Sequence, residues 1–197
     1  MIYETLEILM EQITTYLGTK PNDDSVLLLE NSAKLDDTTL TKIKDRVVVT
    51  LLNLEEETTL KNIPNTEFKN GKTIYKNKPV NLNLYVLFAA NRTMYEKSLI
   101  SISNIIAFFQ SKKVFTQTNT PFSSGNSAFD DLKEFKFVVD LYTPTFEQLN
   151  YIWGTLGGKS VPSVLYKVSI LHIENDIIQD IGTPISQVQA TLKDTKQ

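Results

Sequence analysis

The chain has 197 residues, of which 41% are apolar and 22% are charged, and its net charge is -3. This composition is typical of a folded domain with a sizeable core and excludes an intrinsically disordered chain. Because the chain has no cysteine, disulfides, thiolate metal sites and cysteine nucleophiles are excluded, and its acidic balance argues against nucleic-acid binding through overall charge.

The first quarter of the chain predicts one helix and then strands. Apolar residues recur at spacings of three and four from Ile2 to Leu17, which indicates an amphipathic helix that Gly18 ends. A short strand is predicted at Val26–Leu29, and the polar stretch 36–45 is a loop or a weak helix. Arg46–Leu54 is apolar on both alternating faces, which predicts a central strand covered on both sides.

A lysine-rich segment then interrupts the apolar pattern. Residues 61–79 contain five lysines and one glutamate, a local charge of about +4. The Asn70-Gly71 pair favours a type I′ turn, so this segment is predicted to be a projecting hairpin. We interpret it as a solubilising hairpin or one that docks on an acidic protein face, rather than as a nucleic-acid site.

The strand predicted at Val80–Ala90 has two different faces. Leu82, Leu84, Val86 and Phe88 point to one side, and Asn81, Asn83, Tyr85 and Leu87 point to the other. The mixed second face indicates partial cover or an interface with another molecule.

The second half of the chain predicts a long helix, a strand, a short helix and a last strand. The long helix spans 93–113, and its main apolar stripe is predicted to be Tyr95, Leu99, Ile102, Ile106 and Phe109. Ile100, Ile105 and Phe108 widen this stripe, which therefore needs cover from more than one direction. The polar stretch 115–132 is a loop or a loose hairpin, and 134–142 alternates as a strand with Leu141 inward. Thr145 begins a helix with Phe146, Leu149, Trp153 and Leu156 at helical spacing, which Gly157-Gly158 ends. The last long strand is predicted at 161–174.

This order of elements predicts an α+β fold, a mostly antiparallel sheet with helices packed on it. We expect one domain over residues 1–182 and a polar C-terminal arm over residues 183–197.

Catalytic motifs are scarce in this sequence. The single histidine, His172, alternates with apolar residues within a predicted strand, where a structural or interface role is the simpler interpretation. An enzyme that uses His172 with a loop aspartate such as Asp130 stays open as a hypothesis. There is no G-x-S-x-G elbow, and Gly158-Lys159-Ser160 lacks the first glycine of a phosphate loop. We therefore expect no catalytic residues, no metal and no cofactor.

Six stretches, in the same order along the chain, carry a resemblance to one family. They are Met1–Leu6, Val49–Asn62, Pro79–Asn91, Phe108–Phe115, Leu149–Gly158 and Val161–Val168. The series resembles the small bacterial proteins encoded with extracellular contractile injection systems, which are similar to the tail-terminator, or cap, proteins of phage tails. The resemblance covers about residues 1 to 175, and none of its motifs is catalytic.

The resemblance implies a structural protein with a tail-terminator-like fold. It implies a ring, six-fold in the family, on the end of the inner tube and of the last sheath ring, where it stops polymerisation and anchors the sheath. The implied partners are further copies of the chain and the sheath and tube proteins, without nucleic acid or membrane. An assembly or cargo-loading adaptor of the same particle is the alternative.

A cap must contact its neighbours, and three exposed features of the sequence are candidates for those contacts. They are the broad apolar stripe of the long helix around Leu99, the mixed strand face from Asn81 to Leu87, and the arm after Gly182. The acidic run Glu55–Glu57 and the basic hairpin are further candidates. The expected interface residues are Asn81, Asn83, Tyr85, Glu55, Glu56, Lys72, Lys76, Ile185 and Val188.

The expected compartment is inferred from the start of the chain. The opening residues have no basic region, and Glu4, Glu7 and Glu11 interrupt the apolar residues around them, so no secretion signal is visible. We expect assembly in the cytoplasm and release, if any, as part of the particle.

Overall fold

The computed structural model describes residues 2–35, 41–57, 66–69, 72–76, 80–122, 135–173 and 178–182. Within these ranges the chain forms a six-stranded sheet, a smaller three-stranded sheet and three α-helices, with two short 3-10 helices at Ser32–Lys34 and Thr41–Ile43. The arm over residues 183–197, with Ile185 and Val188, lies outside the described residues, as does Asp130.

The larger sheet has the architecture that the sequence predicts. Numbered in chain order, its strands in spatial order are β1 (Leu27–Leu29), β2 (Arg46–Glu56), β5 (Val80–Asn91), β8 (Ser163–Ile173), β7 (Lys136–Tyr142) and β6 (Val114–Thr116). All neighbouring pairs are antiparallel except β1 and β2, which are parallel. The predicted α+β class with a mostly antiparallel sheet is therefore confirmed.

The smaller sheet contains the lysine-rich hairpin. Its strands are β3 (Thr66–Lys69), β4 (Lys72–Lys76) and β9 (Ile178–Gly182), in that order. β3 and β4 are antiparallel with Lys69 opposite Lys72, which confirms the hairpin, while the two turn residues lie outside the described part of the chain. β9 pairs with β4 and extends the hairpin into a third strand, which the sequence did not predict.

Two helices cover the first face of the larger sheet. They are α1 (Ile2–Leu17) and α2 (Tyr95–Ser111), and they form the main core with alternate residues of β2, β5, β7 and β8. Aromatic rings fill the centre of this core. The ring centroids of Phe109 and Tyr166 lie 4.3 Å apart, and the stacked rings of Phe115 and Phe137 have centroids 5.1 Å apart. Such contacts between offset rings stabilise a core beyond simple burial.

The second face carries a single short helix in the described part of the chain. This is α3 (Phe146–Thr155), which begins with a capping box between Thr145 and Gln148. Gly157 and Gly158 end it with positive φ angles, as predicted. Trp153 is buried against Leu87, Ala89 and Leu165, whereas Phe146 is 94% exposed, so the predicted stripe begins one turn too early.

The buried face of α2 differs from the predicted stripe. Ser98, Ser101, Ile105, Phe108 and Phe109 are buried, and the last three belong to the predicted, widened stripe, whereas its members Tyr95, Leu99 and Ile106 are exposed. The physical reason is that small serines let the helix approach the sheet closely, with one hydroxyl bonded to the sheet and the other within the helix. Ser98 Oγ donates to the carbonyl of Ala90 at 3.1 Å, and Ser101 Oγ donates to the carbonyl of Lys97 at 2.8 Å.

A buried arginine joins the end of β5 to two earlier loops. The side chain of Arg92 is 1% exposed and forms ion pairs with Asp24 and Asp45, the latter at 3.1 Å. Lys97 also bonds Asp24, at 2.7 Å, and the backbone N–H of Thr93 donates to Asp45 at 3.1 Å. Hydrogen bonds from Lys97 and Arg92 lower the pKa of Asp24 from 3.8 to about 2.

We expect Arg92→Leu to lower the free energy of unfolding by about 2 kcal/mol, because hydrogen bonds from a buried charged group are lost. Chemical denaturation measures this change. The control is Arg46→Leu, at the half-buried start of β2, for which we expect a smaller loss. Equal losses for the two variants would contradict a special role for Arg92.

The ion pairs around Arg92 make the stability of the chain depend on pH. Because the folded pKa of Asp24 is about 2 and its ordinary value is 3.8, its contribution is present above pH 3.8 and is lost as the pH falls toward 2. We expect Asp24→Asn to flatten the acid side of the stability curve, measured by denaturation between pH 2 and 5. An unchanged slope in the variant would contradict this assignment.

Candidate interaction surfaces

A groove of about 890 Å³ lies on the second face of the larger sheet, beside α3. We call it the tyrosine groove. Its polar and aromatic lining residues are Glu30, Asn31, Asn53, Glu55, Tyr85, Tyr142, Gln148 and Tyr151. It exists because α3 has only ten residues and leaves the surface of β2 and β5 uncovered.

A hydrogen-bonded tyrosine organises this groove. The Tyr85 hydroxyl donates to Glu55 Oε2 at 2.6 Å, and the Tyr85 ring meets the Tyr142 ring edge-on at 5.2 Å. The bond to Glu55 and partial burial raise the pKa of Tyr85 to about 12. Tyr85 therefore stays protonated at physiological pH and remains the donor to Glu55.

Two carboxyl groups line the tyrosine groove. They belong to Glu55 and to Glu30, which is paired with Lys34 at 2.9 Å, and none of the described residues that line the groove is a lysine or an arginine. Glu147, which accepts a hydrogen bond from the Tyr151 hydroxyl at 3.2 Å, adds a third carboxylate beside it. The groove thus offers tyrosine rings and carboxylates, which suits a partner with basic and apolar side chains.

A second groove, of about 700 Å³, lies at the end of the sheet where β8 begins. We call it the helix groove. It is lined by Tyr95, Leu99, Ile102 and Ile106 of α2, by Leu141, Tyr142 and Pro144 at the end of β7 and just beyond it, and by Leu149, Ile152 and Trp153 of α3.

The helix groove exposes large apolar side chains. Tyr95 is 69% exposed, Leu141 is 54% exposed and Leu99 is 46% exposed. Contiguous apolar surface of this kind marks protein–protein contact sites on folded domains. The rotation of α2 toward its serine face produces this surface, because Tyr95, Leu99 and Ile106 of the predicted stripe are turned to the outside.

The structure separates the expected interface residues into different environments. Tyr85 and Glu55 line the tyrosine groove, and the adjacent Glu56 is exposed. Asn81 and Asn83 are buried within the chain, at 5% and 1% exposure, and so do not belong to its exposed surface. Asn83 Nδ2 donates to Glu57 at 3.0 Å.

The remaining expected residues lie on the hairpin or beyond the described part. Lys72 is exposed at the start of β4, and Lys76 ends the same strand. Sequence reasoning missed Tyr151 and the exposure of Leu141. Alternation along β7 predicted Leu141 inward, beside Phe137 and Val139, but Leu141 lines the helix groove and more than half of this side chain is exposed.

Chemical sites are not apparent in the described ranges. No group of three or more metal-binding side chains occurs there, and no helix there is long and apolar enough to span a bilayer. His172 belongs to β8, where its backbone pairs with Asn81.

Two solved structures share this fold over nearly the whole chain. One is the sheath/tube terminator of an extracellular contractile injection system, PVC, in the extended state, with a TM-score of 0.63, 16% identity and 100% of this chain covered. The other is the tube-terminating cap of the anti-feeding prophage, with a TM-score of 0.60, 14% identity and 96% covered. The chain spans 64% and 61% of the length of these two proteins.

The fold is therefore that of the terminator proteins of contractile injection systems. The family model described as the Pvc16 N-terminal domain matches residues 4–187, and the chain belongs to this family. The resemblance drawn from the six sequence stretches is confirmed. No curated protein sequence matches the chain.

We expect Glu55→Gln to lower the pKa of Tyr85 from about 12 toward its ordinary value of 10, because the charged acceptor is removed. The measurement is a ¹³Cζ NMR titration of labelled tyrosine, with Tyr85 assigned by Tyr85→Phe. Since the folded pKa is raised, the wild-type contribution to stability is present below pH 10 and is lost as the pH rises toward 12.

Tyr166 is the matched control for this titration. Burial alone raises its pKa to about 12, and it lies in the main core, away from Glu55. Glu55→Gln is expected to leave the Tyr166 titration unchanged. An unchanged Tyr85 titration in the variant would contradict the role assigned to Glu55.

Proposed function

We propose that this chain is a non-enzymatic cap that ends the tube and sheath of a contractile injection particle. The observation that carries the proposal is the likeness of its fold, over 96–100% of the chain, to two proteins described as terminators of such tubes. Its membership of the Pvc16 N-terminal domain family supports the same function. A cap acts by contact alone, and the surfaces found on this chain are contact surfaces.

We propose further that the cap is a ring of six copies that stops polymerisation and anchors the sheath. Such a ring forms from head-to-tail contacts when the rotation per subunit closes after a whole number of copies. Each copy then needs two different lateral surfaces and one stacking surface. In this proposal, assembly takes place in the cytoplasm, and the ring then stays on the particle.

The helix groove is our candidate for the stacking contact with the tube or sheath. It is the more apolar of the two grooves, and permanent assemblies bury apolar surface at their contacts. Its rim from α2 is formed by Tyr95, Leu99 and Ile106, which the single chain leaves exposed.

Loss of this chain is expected to give tubes without a fixed length. Particles assembled without it and with it restored are compared by negative-stain electron microscopy, which measures the length distribution. The chain itself is expected in purified, finished particles, at one end only. Normal lengths in its absence, or finished particles that lack it, would contradict the cap and favour the loading adaptor.

A substitution in the helix groove is expected to separate binding from folding. Leu99→Glu places a charge on an exposed position, so we expect stability to change by less than about 0.5 kcal/mol while capping of tubes is lost. The measurements are thermal unfolding and tube length. The matched variant is Ile105→Glu on the buried face of the same helix, which is expected to unfold the chain. Normal capping by a folded Leu99→Glu protein would contradict this use of the groove.

A further inference from the structure

We propose that the tyrosine groove of one copy receives the tip of the β3–β4 hairpin of the next copy around the ring. This inference rests on the proposed function, because it supplies the lateral contact that a ring of copies requires. The groove and the tip have complementary chemistry, and the same chain carries them at different places.

The tyrosine groove needs an occupant that is both basic and apolar. Glu55 is held in place by the Tyr85 hydroxyl at 2.6 Å, so its charge is positioned before any partner arrives. Tyr142 and Tyr151 add ring surface beside it. Tyrosine rings with fixed carboxylates bind lysine or arginine side chains and aromatic rings more favourably than they bind acidic segments.

The hairpin tip has both of these properties. Lys69 and Lys72 lie directly opposite each other at its end, and both are exposed. Phe68 is 76% exposed, and the register places it on the same face of the hairpin as Tyr75. The two lysines lie on the opposite face, so the tip has one apolar side and one basic side, and both are candidates for contact within a groove.

The two facing lysines at the tip also favour contact with a carboxylate of another molecule. Like charges directly opposite each other across two strands destabilise the pair, and a nearby carboxylate offsets that repulsion. Glu55 of a neighbouring groove provides such a carboxylate, whereas Glu30 is already paired with Lys34 of its own chain. The fit in charge thus points to a second copy of this chain as the occupant.

The arrangement of the two sheets makes this contact sterically reasonable. The hairpin belongs to the three-stranded sheet, and neither β3 nor β4 pairs with a strand of the six-stranded sheet in the described ranges. β9 supports the hairpin along β4. A groove on one sheet and a tip on another are different surfaces, so their contact is head-to-tail, the type that closes into a ring.

Cysteine cross-linking tests this contact directly, because the chain has no native cysteine. One preparation carries Asn53→Cys in the tyrosine groove, and a second, distinguishable by mass, carries Phe68→Cys on the hairpin. After mixing and mild oxidation, a disulfide-linked heterodimer is expected on a non-reducing gel. Because each chain carries only one cysteine, this product cannot arise within a single chain.

The control for the cross-link is Val114→Cys mixed with Phe68→Cys. Val114 is 42% exposed on β6, at the edge of the sheet farthest from β1. This pair is expected to give a clearly smaller yield of heterodimer. Absence of the Asn53–Phe68 product, or equal yields from the two pairs, would overturn the proposal.

Charge reversal provides the second measurement. Glu55→Lys alone, and Lys69→Glu with Lys72→Glu alone, are each expected to weaken assembly about tenfold or more, measured by native mass spectrometry of the 22.4-kDa chain and its oligomers. A mixture of the two variants is expected to restore assembly, since each groove then meets a hairpin of opposite charge. Reversals that leave assembly unchanged, or a mixture that restores nothing, would overturn the contact.

These outcomes separate the inference from the proposed function. If the wild-type chain fixes tube length but shows no Asn53–Phe68 cross-link, the cap stands and this lateral contact is wrong. If the cross-link forms but loss of the chain leaves tube length unchanged, the contact between copies stands and the cap is wrong.

Discussion

The central constraint on this molecule is the ratio of helix to sheet. The larger sheet has six strands, and the described part of the chain provides three α-helices to cover its two faces. α1 and α2 close the first face into an aromatic core, which leaves only α3 for the second. Since α3 has ten residues, part of that face stays open, and both grooves border on this one short helix.

The orientation of α2 determines where the remaining apolar surface lies. Its serine face fits closely against β5, because Ser98 reaches the carbonyl of Ala90, and this leaves Tyr95 and Leu99 outside. For a protein that acts alone, such exposure lowers solubility without any benefit. For a subunit of a larger assembly it is a contact surface, in agreement with a family whose structural neighbours terminate a tube.

The polar surfaces have complementary chemistry. The contact that we propose between copies joins the tyrosine groove, which contains Glu55, to a basic hairpin on the other sheet. The hairpin would be a marginal element by itself, since two isolated strands are unstable in water. The third strand, β9, stabilises it, and so the segment after β8 contributes to the presentation of the basic tip.

The sequence by itself determined the elements whose signals are local. Periodicity placed α1, β2 and β5, the Asn70-Gly71 turn predicted the hairpin, and capping residues set both ends of α3. Glu55 and Tyr85 were also identified from pattern alone as surface candidates. Only the tertiary structure decided which residues of α2 are buried, that Asn83 is buried, and that β9 joins the hairpin. These features depend on segments far apart in the chain, because burial is fixed by the surface that packs against a residue and not by its neighbours in sequence.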